Sequence, residues 1–349
     1  MHNKLFILGN GFDLCHGLPT RYYDKGLRKS VCCKLSPYPD FANFLEDKYI
    51  EVYENFYLFA CDKNDSPLEM WARFEEKLAN VTNKEIIKHH VVEDGELDGN
   101  DENDEISNHF GSIEARISAL KQNVDDSFTR LMSNALCDWI LSLDYDDVNK
   151  KTVRRFSHQL NHADCVSFNY SHTLENFYDD NYLEILHIHG LAEPYDAQKG
   201  ADLVFGHGDD ELSEESIEDG SLGLMREIVA QNVLNEANTD SKKILRKNVE
   251  KCLSSLTSFL SDAVNYNKVY IIGHSFGAVD MPYFEEIAHR LSKKAKIIVS
   301  YYGEDELASV KKKVRHVFND FDVAFGDISI NDKNDKQSFW NLYLKQKAE

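Results

Sequence analysis

The chain has 349 residues, 42% of them hydrophobic, which is enough to bury a sizeable core and too apolar for a chain disordered throughout. Its 60 acidic residues against 39 Lys and Arg leave a net charge of −21, which disfavours non-specific binding to nucleic acid. The seven cysteines, Cys15, Cys32, Cys33, Cys61, Cys137, Cys165 and Cys252, are odd in number and form no C-x-x-C pair, which argues against a disulfide framework or a zinc knuckle and fits a reducing cytoplasm.

The N-terminal stretch 4-KLFILGNGFDLCHG-17 is a short apolar run that meets glycines. It has neither the cationic flank and cleavage site of a signal peptide nor the length of a membrane span, so we expect a first strand and no membrane association. The turn Gly9-Asn10-Gly11 then leads into residues that can begin a helix. Glycines let a backbone approach a phosphate, and free amides at a helix start favour an anion. The full G-x-G-x-x-G fingerprint fails because position 14 is Leu, and a sharp turn that needs glycine is the alternative. A carboxylate beside a pyrophosphate would repel it, so Asp13 is expected to meet a ribose hydroxyl or cap the turn.

Residues 36–149 read as a helical insertion, because the gap before the next strand is too long for one crossover helix. Phe41, Leu45, Tyr49, Val52, Phe56 and Phe59 share one helix face. Ser66-Pro67-Leu68-Glu69 has the form of a capping box, followed by a stripe of Leu68, Trp71, Phe74, Leu78 and Val81. A third stripe runs from Ile106 through Phe128, Leu131 and Ala135 towards Trp139. Such stripes are core rather than cofactor contacts. Between them, residues 92–107 are dense in acid, Gly and Asn, the composition of a mobile loop.

Strand-like runs follow at Cys165–Tyr170, Ile185–Gly190, Leu203–Gly208, Lys268–His274 and Lys296–Tyr302. Most are continuous apolar runs, as expected for strands covered on both faces. Ligands of open parallel sheets bind outside the strands' carboxyl ends, which makes Asn169 and Tyr170 candidates by position. An Asn donates and accepts, which suits a ribose or an attacking water; a helix cap is the rival role. In 185-ILHIHG-190, period-two geometry points His187 and His189 to one face. His189 has the pKa range of a general base. No further ligand set accompanies the pair, so no metal is expected. Residues 209–221 form a second acidic stretch, a lid or an ordinary connection, before a helical pattern through Leu245, Val249, Leu253, Leu256 and Leu260.

In 268-KVYIIGHSFGAVDMPYFEEI-287, the residues Gly273-His274-Ser275-Phe276-Gly277 fit the G-x-S-x-G nucleophile elbow. Asp305 and His316 stand in the right chain order to complete a serine-hydrolase triad. That reading leaves Gly9, Asn169 and His189 without roles. The basic stretches 291–296 and 311–316 read as solvated helix faces, with a local basic groove for nucleic acid as the alternative. Residues 331–349 read as a C-terminal tail. The expected fold is α/β: a mainly parallel, doubly wound, Rossmann-like sheet built from residues 1–35 and 150–330, carrying the insertion.

Taken in order, LFILGNGFDLCHGLPTRY, WARFEEKL, SFNYSHTLENFY, HIHG, LVFGHG and YIIGHSFGAVDMPYF resemble the AbiH family of bacterial abortive-infection proteins, over blocks from residue 4 to residue 287. The same order is similar to a divergent sirtuin-like domain, whose relatives in phage defence cleave NAD. That resemblance implies that Gly9, Asn10 and Gly11 cradle the phosphates, that Asn169 orders ribose and water, and that His189 is the base. It also puts Gly273 and Ser275 against the dinucleotide; Asp13, His274 and Asp280 are expected to bind it as well. The structural zinc cysteines of protein-deacetylating sirtuins are missing, and Ser171 replaces the acid usual after the Asn-containing pair. The expected protein is therefore a cytoplasmic phage-defence effector that hydrolyses NAD or a related nucleotide as substrate, needs no cofactor, and is restrained as a homo-oligomer or by a partner protein. A nuclease of the same family and a serine hydrolase using Ser275 are the alternatives.

Overall fold

The computed structural model describes residues 3–22, 38–50, 52–54, 56, 74–78, 130–146, 148–179, 182–196, 199–206 and 249–344. The acidic stretches 92–107 and 209–221, the Ser66–Glu69 capping box and most of the third helical stripe lie outside them.

Six strands form one parallel sheet in the order β3-β2-β1-β4-β5-β6: β1 Lys4–Leu8, β2 Asp164–Ser167, β3 Glu184–His187, β4 Lys268–Ile272, β5 Lys296–Tyr301 and β6 Asp322–Asp327. This is the doubly wound order of a Rossmann-like sheet, as expected from the continuous apolar runs. Helices follow the strands: α1 Asn10–His16, α2 Phe41–Lys48, α3 Phe74–Lys77, α4 Lys150–Leu160, α5 Thr173–Tyr178, α6 Val249–Phe259, α7 Met281–Arg290, α8 Glu304–Val317 and α9 Phe339–Leu344. Residues 130–141 are also helical.

Alternate residues of each strand enter opposite layers. Leu5, Ile7, Val269, Ile271, Ile297 and Val299 pack under α6, α7 and α8. Phe6, Leu8, Tyr270, Ile272 and Ile298 pack with Phe12, Phe156, Tyr178 and Tyr343 on the other face. In register, Phe6 pairs with Tyr270, and their rings stack at 4.7 Å. Each such fully buried side chain contributes about 1.5–3 kcal/mol, which is why the central strands carry no polar face.

The insertion has its own core, where Phe41, Leu45, Phe56, Phe74, Leu136 and Trp139 pack together. Tyr170, Ala192, Leu203 and Phe205, from the loops after β2 and β3, join that core. The insertion is thereby seated on the carboxyl edge of the sheet.

Three expectations are corrected. The run from Leu203, expected as a strand, is none over its described residues 203–206; Leu203 and Phe205 are apolar because they pack into the insertion's core. Over its described residues 331–344 the C-terminal segment is no mere tail, because Phe339, Trp340 and Tyr343 are buried against the sheet layer through α9. The edge strand β6, half-buried and containing Gly326, was not among the expected strands.

Candidate functional site

The strand order reverses between β1 and β4, and ligands of such sheets bind in the crevice outside the carboxyl ends at this reversal. A cleft of about 520 Å³ lies there. Gly9, Asn10, Gly11, Asp13, Asn169, His189, Gly273, His274, Ser275 and Asp280 all line it, so the fold brings together every candidate residue picked from four separate strand ends.

The glycines are explained by contact between two turns. The Gly9 N–H donates to the Ile272 carbonyl at 2.9 Å, and the Gly11 N–H donates to the Gly273 carbonyl at 2.8 Å. A Cβ on Gly11 would lie 2.5 Å from the Gly273 Cα, and one on Gly273 would lie 2.4 Å from the Gly11 Cα. Gly273 also has φ of +64° and donates its N–H to Ser300 Oγ at 2.8 Å. The amides of Gly9 and Gly11 are thus engaged by the β4 turn, which corrects their expected role as a phosphate cradle. Asn10 is held as well: its Nδ2 donates to the Thr20 carbonyl at 2.6 Å, and its Oδ1 accepts from Thr20 Oγ1 at 2.5 Å.

Asp13 ties α1 to the loop after β2. Its carboxylate accepts from Ser171 Oγ at 2.6 Å and from Thr173 Oγ1 at 2.7 Å. Burial pushes its pKa up to about 6, although the hydrogen bonds from Ser171, Thr173 and Asn169 pull the other way. Ser171, the departure from the sirtuin pattern, is therefore a partner of Asp13. Both carboxylate oxygens accept internally, so Asp13, expected to meet a ribose hydroxyl or cap the turn, ties α1 to the loop after β2. Asn169, also buried, donates from Nδ2 to the Gly9 carbonyl at 3.1 Å.

The shared face expected for His187 and His189 does not survive the end of β3 at His187. His187 Nε2 meets Glu175 Oε1 at 2.7 Å, on α5. Burial alone would raise the Glu175 carboxyl, but the hydrogen bond and charge of His187 bring it below its ordinary value. The turn carries His189 elsewhere, among the rings of Phe168, Tyr170 and Tyr283, with its carbonyl accepting from the Val204 N–H at 2.8 Å.

There His189 Nε2 lies 3.7 Å from one oxygen of Asp280, and His274 Nε2 lies 3.5 Å from the other. His274 Nδ1 accepts the Phe276 N–H at 2.9 Å, so a neutral His274 carries its proton on Nε2, facing Asp280. Both histidines are buried. A carboxylate flanked by two imidazoles can hold and pass a proton, and can stabilise a positive charge nearby.

The serine-hydrolase reading is not supported by the geometry. Asp305 and His316 lie at opposite ends of α8, about 16 Å apart along its axis, and both are exposed. They cannot form one triad with Ser275. The positive φ of the turn falls on Phe276, at 54°, and a Cβ on Gly277 would meet nothing within 4 Å, so neither feature of a tight nucleophile elbow is centred on Ser275. Ser275 is exposed at the lip, where its carbonyl accepts from Lys313 Nζ at 2.9 Å.

Tyr22, from the stretch after α1, and Glu75 and Trp139, from the insertion, line the cleft and were not picked from the sequence as site residues. Burial raises the Tyr22 phenol well above its ordinary value, and the charges of Glu75 and Asp280 add to the rise. Glu75 sits beside Phe74 of the apolar stripe, in the block WARFEEKL; an acid next to a core position was the available signal. Among the described residues, no group of three or more His, Cys, Asp or Glu is placed to hold a metal ion, and no helix is long and apolar enough to cross a membrane.

The family model described as bacteriophage abortive infection AbiH matches residues 34–301, more than half of the chain. The matched region contains Glu75, Asn169, His189 and the segment from Gly273 to Asp280, and leaves the Gly9–Gly11 turn outside. No curated protein and no solved structure matches the chain. By the extent of the family match, the chain belongs to the bacteriophage abortive infection AbiH family.

Proposed function

We propose that this family member is an effector that hydrolyses the nicotinamide–ribose bond of NAD, or the equivalent bond of a related nucleotide, in the cleft at the β1/β4 reversal. The observation that carries the reading is the Asp280 carboxylate held between His189 and His274 beside Asn169. The order of the motifs, similar to that of sirtuin-like domains, supports it. The cleft volume lies within the range of small-molecule sites.

Cleavage of this bond passes through an oxocarbenium-like transition state, which a nearby carboxylate stabilises. In this reading water attacks the ribose C1′, the nicotinamide nitrogen leaves with the bonding pair, and His189 takes the proton that the water loses. Asp280 faces the positive charge of the ring carbon and orients both imidazoles. Asn169, whose Nδ2 is held by the Gly9 carbonyl, accepts from a ribose hydroxyl through Oδ1. With the Gly9 and Gly11 amides engaged elsewhere, Arg21 is the lining residue that pairs with a phosphate.

NAD is consumed as substrate here and is no cofactor. A toxic hydrolase must be restrained, by self-association or by a partner of the defence system. A nuclease reading gains nothing from the cleft, whose lining holds Asp13, Glu75, Asp280 and Glu306 against Arg21.

The test is to incubate the purified protein with NAD, other nucleotides and DNA, and to separate the products by chromatography. Nicotinamide and ADP-ribose in equal amounts are the expected products. NAD left intact while another nucleotide or DNA is consumed would end the reading.

A further inference from the structure

The insertion does more than cover the cleft. Glu75, on α3, lines it opposite the sheet, and its Oε1 accepts a long hydrogen bond of 3.4 Å from Tyr22 Oη. The phenols of Tyr22 and Tyr170, each raised first by burial, feel Glu75 and Asp280 together, and so does that of Tyr283. Glu75 and Asp280, from different parts of the fold, both line this cleft together with Tyr22, Trp139 and Tyr170.

Trp139, on the same insertion wall, is buried and carries an indole N–H with no hydrogen-bond partner among the described residues. Negative charge against aromatic faces is the environment that binds an organic cation. It is the opposite of what a polyanion needs.

We propose that Glu75 is a catalytic residue of the cleft, supplied by the insertion, which with Asp280 brackets the positive charge of a pyridinium nucleotide such as oxidised NAD. The proposal rests on the reading of the cleft given above, and it adds a substrate preference: the cationic ring is bound more tightly than its neutral form. It also makes the site incomplete without the insertion, because one of the two acids belongs to α3.

The test uses the full chain and a probe small enough to report on charge alone. Binding of the 1-methylnicotinamide cation and of neutral nicotinamide is measured by calorimetry for wild type, Glu75→Gln and Glu75→Asp, with thermal unfolding run alongside to show that the variants are folded. Wild type is expected to prefer the cation by about tenfold or more, Glu75→Gln to lose most of that preference, and Glu75→Asp to regain part of it. Nicotinamide release from NAD by Glu75→Gln should show a raised KM, because the cationic ring is already present in the bound substrate.

No preference in wild type, or the same preference in folded Glu75→Gln, would overturn the assignment. A preference that depends on Glu75 in a protein that leaves NAD intact would keep the charge site and end the hydrolase reading.

Discussion

Gly11 and Gly273, 262 positions apart by number, meet backbone to backbone, so that a methyl group on either would lie 2.5 or 2.4 Å from the other's Cα. Their contact holds the turns after β1 and β4 together at the mouth of the cleft. Gly273→Ala is expected to destabilise the protein by about 3 kcal/mol or more, since it adds an overpacked methyl to a left-handed backbone. Gly277→Ala, with φ of −58° and open space around it, should change stability by less than about 1 kcal/mol. Denaturant unfolding of the two variants checks this; equal effects would show that the turns do not depend on that contact.

Asp280→Asn removes the charge between His189 and His274 while keeping the shape. NAD hydrolysis should fall by about 10²–10³-fold, mostly in kcat, because the charge acts on the transition state. His189→Ala should lose about 10²–10⁴-fold as an acid–base group. Steady-state nicotinamide release on folded variants measures both. Activity within about twofold of wild type in either would remove that residue from the mechanism.

Asp13 has a folded pKa raised to about 6 from an ordinary value of 3.8, so the folded protein holds a proton there that the unfolded chain has already lost. Its contribution to stability is therefore fully present below about pH 4 and is lost as the pH rises to about 6, by about 3 kcal/mol in all. Asp13→Asn should flatten this part of the pH–stability curve. Thermal midpoints taken between pH 4 and 7 on both proteins provide the comparison; an identical slope in the variant would show that Asp13 is not the group responsible.

Ser275→Ala should retain catalysis, with at most about a tenfold loss in substrate affinity, as for one hydrogen bond to a ligand. Wild type should not react with a fluorophosphonate. Stoichiometric labelling of Ser275 would restore the serine nucleophile despite the separation of Asp305 and His316.

The sheet and the location of the cleft could be read in the sequence because both depend on local signals. Runs such as KLFIL and KVYII are apolar at every position only if both faces are covered, and a parallel sheet puts the ends of its strands on one edge. Those two facts bring Gly9, Asn169, His189 and Gly273 to one edge without knowledge of any contact. Weak local signals failed at the periphery: β6 contains Gly326 and is half-buried, while Leu203 and Phe205 are apolar because they fill the insertion's core.

What each site residue touches was decided by the tertiary structure. The Gly9 and Gly11 amides looked open to a phosphate until the β4 turn occupied them, and Asp13 looked open to a ribose until Ser171, 158 positions later, donated to it. His189 left the face of His187 because β3 stops one residue before Ile188. Glu75 entered the cleft because α3 is seated on the sheet edge. Strand and helix periods follow from each residue's neighbours in the chain, whereas hydrogen-bond partners and shared charge depend on which distant segments pack together, and that is settled only when the whole core forms.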